Sequence, residues 1–413
     1  MNNFDIAHKL NNAKFIFREP IMSGHYVWRS SGINFVNNIY KILYNEISLV
    51  RNTKTIQCGS IVKIDNYINL YKEVSDYKNV FASVNFNYAI RPENTSVLLK
   101  ALHENKDVIV MINTPLYRQF QSKAFLVDQR IWPAPSFCLS VNKRLLIHTI
   151  DDIMSHLNLF FDKMLLPYLW IEQKKGFKNF AERMFLPLMP ENSKVLTIAS
   201  TLYVLSGVFS KKLSTDEKII QYGFSERLIY LYCVMQENKP YVVWPSGVAT
   251  FDILISEDIE EHMNSYIEKT RYKVFKLNKT INKNTRIEDQ LPIKEGYPII
   301  LFRNNNEIFY KLAFTGEIGK LTSIEMIKDL LQKSDSAILI NNQTYFNECL
   351  SEYKVEFLCE KCENSLEGFA SLGNCYPEIF SNCKRCGMKN SLKKLFLPSN
   401  TRSSINEKLI NKK

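Results

Sequence analysis

The sequence predicts a mixed α/β (α+β) fold of several domains, and three observations lead to this class. The chain has 413 residues, of which 46% are hydrophobic, with only 13 Gly and 14 Pro. That composition is too apolar for disorder and too irregular for collagen or a coiled coil. Apolar residues recur every three or four positions across residues 33–47, which predicts an amphipathic helix. Two strand-like runs flank a turn of asparagines within residues 298–314, which predicts a β-hairpin.

A further helix is predicted directly after the hairpin. The run Thr-Ser-Ile-Glu at residues 322–325 is a capping-box pattern, and apolar residues follow it at helical spacing. Together with the preceding strands, this helix makes residues 251–331 a compact α/β unit. We expect its boundaries at the turn formed by residues 244–247 and at the polar stretch formed by residues 334–343.

The strongest motif is a group of four cysteines near the C-terminus. Cys359-x-x-Cys362 is followed, after twenty residues, by Cys383-x-x-Cys386-Gly. Each Cys-x-x-Cys turn presents two thiolates on one side, and a tetrahedral Zn²⁺ needs two such pairs. The spacing therefore predicts a structural zinc site with no open position for a substrate, and reduced thiols without metal are the alternative. Cys375 lies between the pairs as a fifth thiol that could replace a ligand.

Positive charge is concentrated at the C-terminal end. The net charge is +11, and residues 384–413 contribute nine Lys and Arg against a single acid, Glu407. A basic tail of this kind favours polyanions such as RNA or DNA, because its cations neutralise phosphates. The alternative is a solvated end that binds nothing.

The chain shows no targeting or membrane segment. The first residues lack the cationic and apolar regions of a secretory signal. The longest uncharged apolar run covers fifteen residues, 195–209, which is shorter than the ~20 residues needed to cross a bilayer. Four cysteines are scattered singly and are expected to be buried thiols: Cys58, Cys138, Cys233 and Cys349. We therefore expect a cytoplasmic protein that does not bind membranes.

Common nucleotide-binding and hydrolase signatures are absent from the sequence, but several segments resemble one family in the correct order. Residues 222–229, Tyr-Gly-Phe-Ser-Glu-Arg-Leu-Ile, resemble motif 3 of the class II aminoacyl-tRNA synthetases, in which a strand leads into a helix that carries an arginine. Residues 243–250 resemble the junction into an anticodon-binding domain, and residues 91–95 resemble an amino-acid-binding loop. With the terminal cysteines, these segments resemble prolyl-tRNA synthetase of the archaeal and eukaryotic type.

The resemblance implies a three-part architecture. Residues 1–250 would form the class II synthetase-like catalytic domain, an antiparallel sheet flanked by helices. Residues 251–340 would form the anticodon-binding-like α/β domain, and residues 341–413 the C-terminal zinc-binding domain with its basic tail.

The implied function is an ATP-dependent aminoacyl-tRNA ligase of the prolyl type. Such an enzyme forms an aminoacyl adenylate with ATP and Mg²⁺ and then transfers the amino acid, here proline, to tRNA. The resemblance also implies a homodimer, although Gln-Cys-Gly-Ser stands at residues 57–60 in place of the proline-containing motif 1.

The resemblance also assigns the site residues. Arg227 takes the position of the motif 3 arginine on the ATP γ-phosphate, and Arg118 that of the motif 2 arginine on the α-phosphate. Arg91, Glu93 and Thr95 fall in the substrate-binding loop. Arginine suits these roles because its planar fork matches phosphate geometry and offsets the negative charge that concentrates during adenylation.

Departures from the family pattern leave two other functions open. Phe120 stands where motif 2 carries an acid, and a family histidine has no counterpart near residues 200–203. One alternative is an amino-acid-activating enzyme whose acceptor is not tRNA. The other is a catalytically silent paralogue that binds tRNA or a protein partner.

Overall fold

The structure is a computed structural model. It describes residues 3–22, 25–65, 87–91, 93–105, 107–117, 131–176, 180–192, 196–210, 216–259, 272–277, 295–304, 307–363, 366 and 369–398. Arg118, Phe120 and the part of the basic tail beyond residue 398 lie outside these ranges.

The described residues form six helices of nine residues or more and twenty-one strands. The helices are α1 Asn3–Asn12, α2 Ser30–Val50, α3 Thr95–Glu104, α4 Leu146–Lys163, α5 Arg227–Met235 and α6 Met326–Leu350. The strands before residue 200 are β1 Ile16–Met22, β2 His25–Trp28, β3 Thr53–Ile56, β4 Ile61–Lys63, β5 Tyr88–Ile90, β6 Ile109–Tyr117, β7 Ile131–Asn142, β8 Leu169–Gly176, β9 Ala181–Pro190 and β10 Leu196–Ile198. The later strands are β11 Ser200–Leu205, β12 Glu217–Phe224, β13 Ile253–Ser256, β14 Val274–Leu277, β15 Ile299–Asn304, β16 Glu307–Leu312, β17 Ile318–Lys320, β18 Lys354–Phe357, β19 Phe369–Cys375, β20 Phe380–Ser381 and β21 Ser391–Pro398.

A large sheet organises the molecule. Its strands follow the order β18-β21-β19-β8-β9-β11-β12-β7-β6-β3, with β10 beside β9 and β20 beside β21. Every pairing is antiparallel except the parallel pair of β3 and β6. The sheet is therefore of the antiparallel kind expected for residues 1–250, and helices flank it.

The two faces of this sheet bury different clusters, because alternate residues of a strand point in opposite directions. On β7, Phe137 and Leu139 join the larger cluster, which also contains the apolar faces of α2, α4 and α5. Cys138, between them, joins a second cluster with three leucines of α3. The helix predicted at residues 33–47 is thus confirmed as α2, and its buried stripe packs on the first face.

A second sheet of five strands forms the α/β unit predicted at residues 251–331. Its order is β14-β13-β15-β16-β17, and β13 runs parallel to both of its neighbours. The predicted hairpin is confirmed, since β15 and β16 are antiparallel with Ile299 opposite Leu312. Residues Ile327, Leu330 and Leu331 of α6 pack on this sheet.

The helix that follows the hairpin is longer than expected. α6 is continuous over 25 residues, Met326–Leu350, and residues 334–343 lie inside it rather than in a linker. The predicted boundary between residues 340 and 341 therefore falls within a helix. The polar stretch misled the prediction because Ser334 and Asn342 are buried on one face, where the Asn342 side chain bonds the carbonyl of Leu165 at 2.9 Å.

The C-terminal strands continue the central sheet instead of standing apart. β19 pairs with β8, with Cys375 opposite Ile171. Cys375 is buried in a cluster shared by β8, β9, β19 and β21, away from the four spaced cysteines. The C-terminal unit and the central sheet therefore share one core.

All nine cysteines are free thiols, and three of the four scattered ones are buried, Cys58 being half-buried. Within the part of the chain that the structure describes, none of the helices combines the length and apolar character that a membrane crossing requires.

Candidate active site and cysteine cluster

Arg227 lies at the turn from β12 into α5. The strand ends at Phe224, and the next amide, that of Ser225, donates to the Ala199 carbonyl at 2.8 Å. This bond fixes the end of β12 beside β10 and β11. Arg227 is the first residue of α5, so the strand-to-helix turn predicted at this motif is confirmed.

The Arg227 side chain is held by contacts with β10. Its Nη1 lies 3.1 Å from Thr197 Oγ1 and 3.4 Å from the Ile198 carbonyl oxygen, and the residue is only 6% exposed. Both oxygens belong to uncharged groups, a hydroxyl and a backbone carbonyl. A pre-oriented arginine of this kind suits a ligand phosphate.

Arg91 lies in the loop before α3 and is fully buried, with 0% exposure. Its Nη1 donates to Asn94 Oδ1 at 2.7 Å, and the Asn94 amide lies 3.2 Å from Ser136 Oγ on β7. Burial lowers the pKa of the Arg91 guanidinium. The side chains of Arg91 and Asn94 therefore connect this loop to β7 of the central sheet.

Thr95 ties the same loop to β12. The Gln221 side chain donates to Thr95 Oγ1 at 2.9 Å. Two residues further along β12, Gly223 lies opposite Ser136, and a Cβ there would be only 3.0 Å from Ser136 Oγ. The glycine therefore allows the Ser136 hydroxyl, which bonds Asn94, to lie close to β12.

Glu93 has a different setting. Its carboxylate accepts a hydrogen bond from the backbone N–H of Thr95, and its second oxygen lies 3.5 Å from the Ser96 nitrogen. These are amides of the first turn of α3, where an acidic side chain is favourable. The carboxylate is therefore engaged with the helix end.

Sequence reasoning did not single out Asn94, Ser136 or Gln221 as site residues, although they form most of this network. A signal was present for Gln221, which interrupts the apolar residues of β12. Buried polar groups in a strand are usually hydrogen-bonded. The partner of Gln221 is Thr95, which is 126 positions away in sequence, so the local pattern does not identify it.

The four spaced cysteines come together as predicted. The Sγ atoms of Cys359, Cys362, Cys383 and Cys386 all lie within 4.8 Å of one another, and those of Cys359 and Cys386 are 3.6 Å apart. Zn–S bonds of about 2.3 Å in a tetrahedron place sulfurs about 3.8 Å apart, so the group fits this metal. A donor set of four thiolates also suits Zn²⁺ chemically.

Backbone geometry prepares the cluster for a cation. The Cys362 amide donates to the Cys359 carbonyl at 3.0 Å, and the Gly387 amide donates to the Cys383 carbonyl at 2.9 Å. Backbone N–H groups of Cys359 and Cys386 lower the pKa of the Cys383 thiol to about 6. Hydrogen bonds with the other thiols raise the pKa of Cys362 to about 12. One thiolate is thus already favoured at neutral pH.

The sequence matches no family model and no curated protein. Among solved structures, it is similar to a crystal structure of prolyl-tRNA synthetase from Cryptosporidium parvum complexed with halofuginone and AMPPNP. The two superpose with a TM-score of 0.79 at 14% identity, over 95% of this chain and 96% of that chain. The chain has a class II synthetase-like fold.

In this synthetase-like fold, the candidate residues collect around one strand. The Gln221 side chain of β12 is hydrogen-bonded to Thr95, which follows the loop that contains Arg91. Arg227 lies three residues after the end of the same strand. Two arginines from different elements are thus organised by the same strand of the antiparallel sheet. Such an arrangement can hold an anionic substrate with its reacting groups oriented, which accounts for much of the acceleration in a two-substrate reaction.

Proposed function

We propose that the protein is an ATP-dependent ligase of the aminoacyl-tRNA synthetase type, acting on proline. The carboxylate oxygen of the amino acid attacks the α-phosphorus of ATP, pyrophosphate leaves, and the acyl group then passes from AMP to tRNA. The proposal includes the predicted division of the chain, with tRNA held by the α/β unit of residues 251–340 and a homodimer as the assembly.

The placement of Arg227 carries this proposal. Its guanidinium is buried and is hydrogen-bonded to the Thr197 hydroxyl and the Ile198 carbonyl of β10. The fold is similar, over 95% of the chain, to a protein crystallised in complex with AMPPNP, an ATP analogue. We propose that Arg227 binds the γ-phosphate, because an arginine fixed in advance loses little entropy when the anion arrives.

The remaining roles follow from the same resemblance. Arg118 would bind the α-phosphate, and Mg²⁺ would offset the charge of the triphosphate. Arg91 would hold the substrate loop, with Glu93 and Thr95 in it. The four clustered cysteines would hold Zn²⁺ as a scaffold, because all four positions are filled by protein.

A second candidate function is a silent paralogue that binds tRNA or a protein partner. The observation that favours it is the engagement of Glu93 with the first turn of α3. An amino acid's ammonium group is best bound by a carboxylate, and this one is already bonded to backbone amides.

ATP–pyrophosphate exchange, without tRNA, tests the proposal against each of the twenty amino acids. Exchange with proline supports a working synthetase, and subsequent charging of tRNA tests the acceptor. Exchange with another amino acid keeps adenylation but overturns the prolyl assignment. Silence from folded protein, with ATP binding absent by calorimetry, overturns the ligase and favours the silent paralogue.

A further inference from the structure

The segment that follows α6 reaches the strand beside Arg227. α6 ends at Leu350, and Tyr353 lies three residues later with its side chain buried. The Tyr353 amide donates to the Leu350 carbonyl at 2.9 Å, which joins the residue to the end of the helix. Its hydroxyl accepts a hydrogen bond from the backbone N–H of Leu196, the first residue of β10, at 2.9 Å. The end of α6 is thus connected to the beginning of β10.

β10 is a short strand with limited support from the sheet. It contains three residues, Leu196–Ile198. In the part of the chain that the structure describes, it pairs with β9 alone, and Leu196 lies opposite Pro190. Proline has no backbone N–H and gives this end of the ladder no donor. The Tyr353 hydroxyl therefore binds β10 at the end where the ladder is weakest.

The residues that hold the Arg227 side chain come directly after Leu196. The Arg227 Nη1 atom lies 3.1 Å from Thr197 Oγ1 and 3.4 Å from the Ile198 carbonyl oxygen. Both acceptors belong to β10, so a displacement of this strand would move them together. The orientation of the guanidinium depends on the position of β10 for this reason.

The backbone of α5, the helix that begins at Arg227, is held by other contacts. The Asn341 side chain of α6 donates to the Met235 carbonyl at 2.8 Å, and Lys9 Nζ of α1 donates to the Gln236 carbonyl at 2.8 Å. A cation at this end of a helix is favourable, because the last carbonyls carry partial negative charge. The position of the helix and the orientation of the arginine side chain thus depend on different groups.

We infer that Tyr353 is a positioning residue for Arg227. Its hydroxyl holds β10, and β10 holds the guanidinium in the orientation that binds a phosphate of ATP. A side chain that is ordered in advance loses less entropy when the ligand arrives, so this arrangement increases affinity. The inference rests on the proposed function, in which Arg227 binds ATP, and it assigns to Tyr353 an effect on ATP binding that is transmitted through β10.

The first test measures the exposure of Arg227 without any nucleotide. The full-length wild type and Tyr353→Phe are treated with phenylglyoxal, which modifies guanidinium groups, and the modified peptides are quantified by mass spectrometry. Tyr353→Phe should raise the rate at Arg227 about fivefold or more, because loss of a buried hydrogen bond favours local opening of β10 by about that factor. Arg144, which is exposed, is the internal reference and should react equally in both proteins.

The second test measures the affinity for AMPPNP with Mg²⁺ by calorimetry. Tyr353→Phe should weaken binding about threefold or more, because the arginine side chain must then be ordered during binding. In the Arg227→Ala background, the same substitution should cause no further weakening, since the group on which Tyr353 acts is already absent.

Tyr345→Phe is the matched control. It removes a hydroxyl from a tyrosine of α6 that is equally buried, but this hydroxyl bonds the Glu237 carboxylate at 3.2 Å and does not bond β10. The control should react with phenylglyoxal at Arg227 and bind AMPPNP as the wild type does.

Three results would overturn the inference. The first is unchanged modification of Arg227 in Tyr353→Phe, and the second is an equal increase in Tyr345→Phe, which would indicate a general loosening of α6. The third is further weakening of AMPPNP binding by Tyr353→Phe in the Arg227→Ala background. A wild type that does not bind AMPPNP would instead overturn the ligase proposal, and the modification rates would still decide whether Tyr353 positions Arg227.

Discussion

The phenol oxygen of Tyr353 accepts a hydrogen bond from the backbone N–H of Leu196 at 2.9 Å, across 157 residues of sequence. Leu196 begins β10, the strand whose next residue, Thr197, bonds Arg227. The start of the C-terminal unit is therefore bonded directly to the strand that fixes the candidate phosphate-binding arginine.

Tyr353→Phe should destabilise the protein by about 1–3 kcal/mol, because the buried Leu196 amide loses its partner. Urea unfolding followed by circular dichroism measures this free energy. Tyr310→Phe is the control, since the Tyr310 hydroxyl bonds Glu317, a carboxylate that also pairs with Lys333 at the surface. An equal loss of unfolding free energy in both variants would show that the Leu196 bond contributes no more to stability than the surface bond of Tyr310.

Arg227→Ala should lower the rate of pyrophosphate exchange at least tenfold, about 1.4 kcal/mol or more, because the γ-phosphate loses its charged partner. Steady-state exchange at varied ATP concentration measures the effect on kcat/KM. Arg144→Ala removes an exposed arginine from the short turn between β7 and α4 and should change nothing. Unchanged exchange in the Arg227 variant would refute its role.

Cys383→Ser should abolish tight zinc binding, because a structural site needs all four thiolates. Purified wild-type protein should carry about one zinc ion per chain by elemental analysis. Cys375→Ser should keep its zinc, since Cys375 is buried in a different cluster. If the Cys383 variant kept its zinc and the Cys375 variant lost it, Cys375 would be a zinc ligand in place of Cys383.

The contribution of Asp252 to the stability of the protein should fall as the pH rises from about 4 to about 6. Burial raises the pKa of this carboxyl from 3.8 to about 6 in the folded protein. Between these values the folded state holds a proton that the unfolded state has lost, so raising the pH favours unfolding. Above pH 6 the carboxylate is charged in both states and the full cost of burial applies.

The role of Asp252 is tested by measuring the unfolding free energies of Asp252→Asn and wild type across this pH range. The Asn variant should lose less stability than wild type as pH rises, because its amide does not ionise and still accepts the bond that Lys273 N–H makes at 2.8 Å. Asp329→Asn, at an exposed position of α6, should follow the wild-type profile. Parallel profiles for all three proteins would contradict the assignment to Asp252.

Features set by neighbouring residues were predictable from the sequence. The spacing of apolar residues places α2, the asparagine turn places the β15–β16 hairpin, and the motif at residues 222–229 places Arg227 at the start of α5. The four cysteines meet as their spacing predicts. The roles of Arg227, Arg91 and Thr95 remain predictions, and that of Arg118 lies outside the described residues.

The end of the α/β unit was not predictable in this way. Residues 334–343 are polar, which is typical of a linker, but they form the middle of α6 because Ser334 and Asn342 find buried places against other elements. Glu93 is similar, since its place in the sequence did not predict that its carboxylate lies against the backbone amides of the first turn of α3. In both cases the partner of a polar group decided its role, and a single sequence does not state that partner.

The sequence by itself thus determined the local elements, the cysteine pairs and the basic charge of the C-terminal end. The tertiary structure alone decided which of these elements share a site. Gln221 meets Thr95 and Tyr353 meets Leu196 because strand order and register bring distant segments together. Register and strand order depend on the summed packing of both sheet faces, a property of the whole chain that no short pattern encodes.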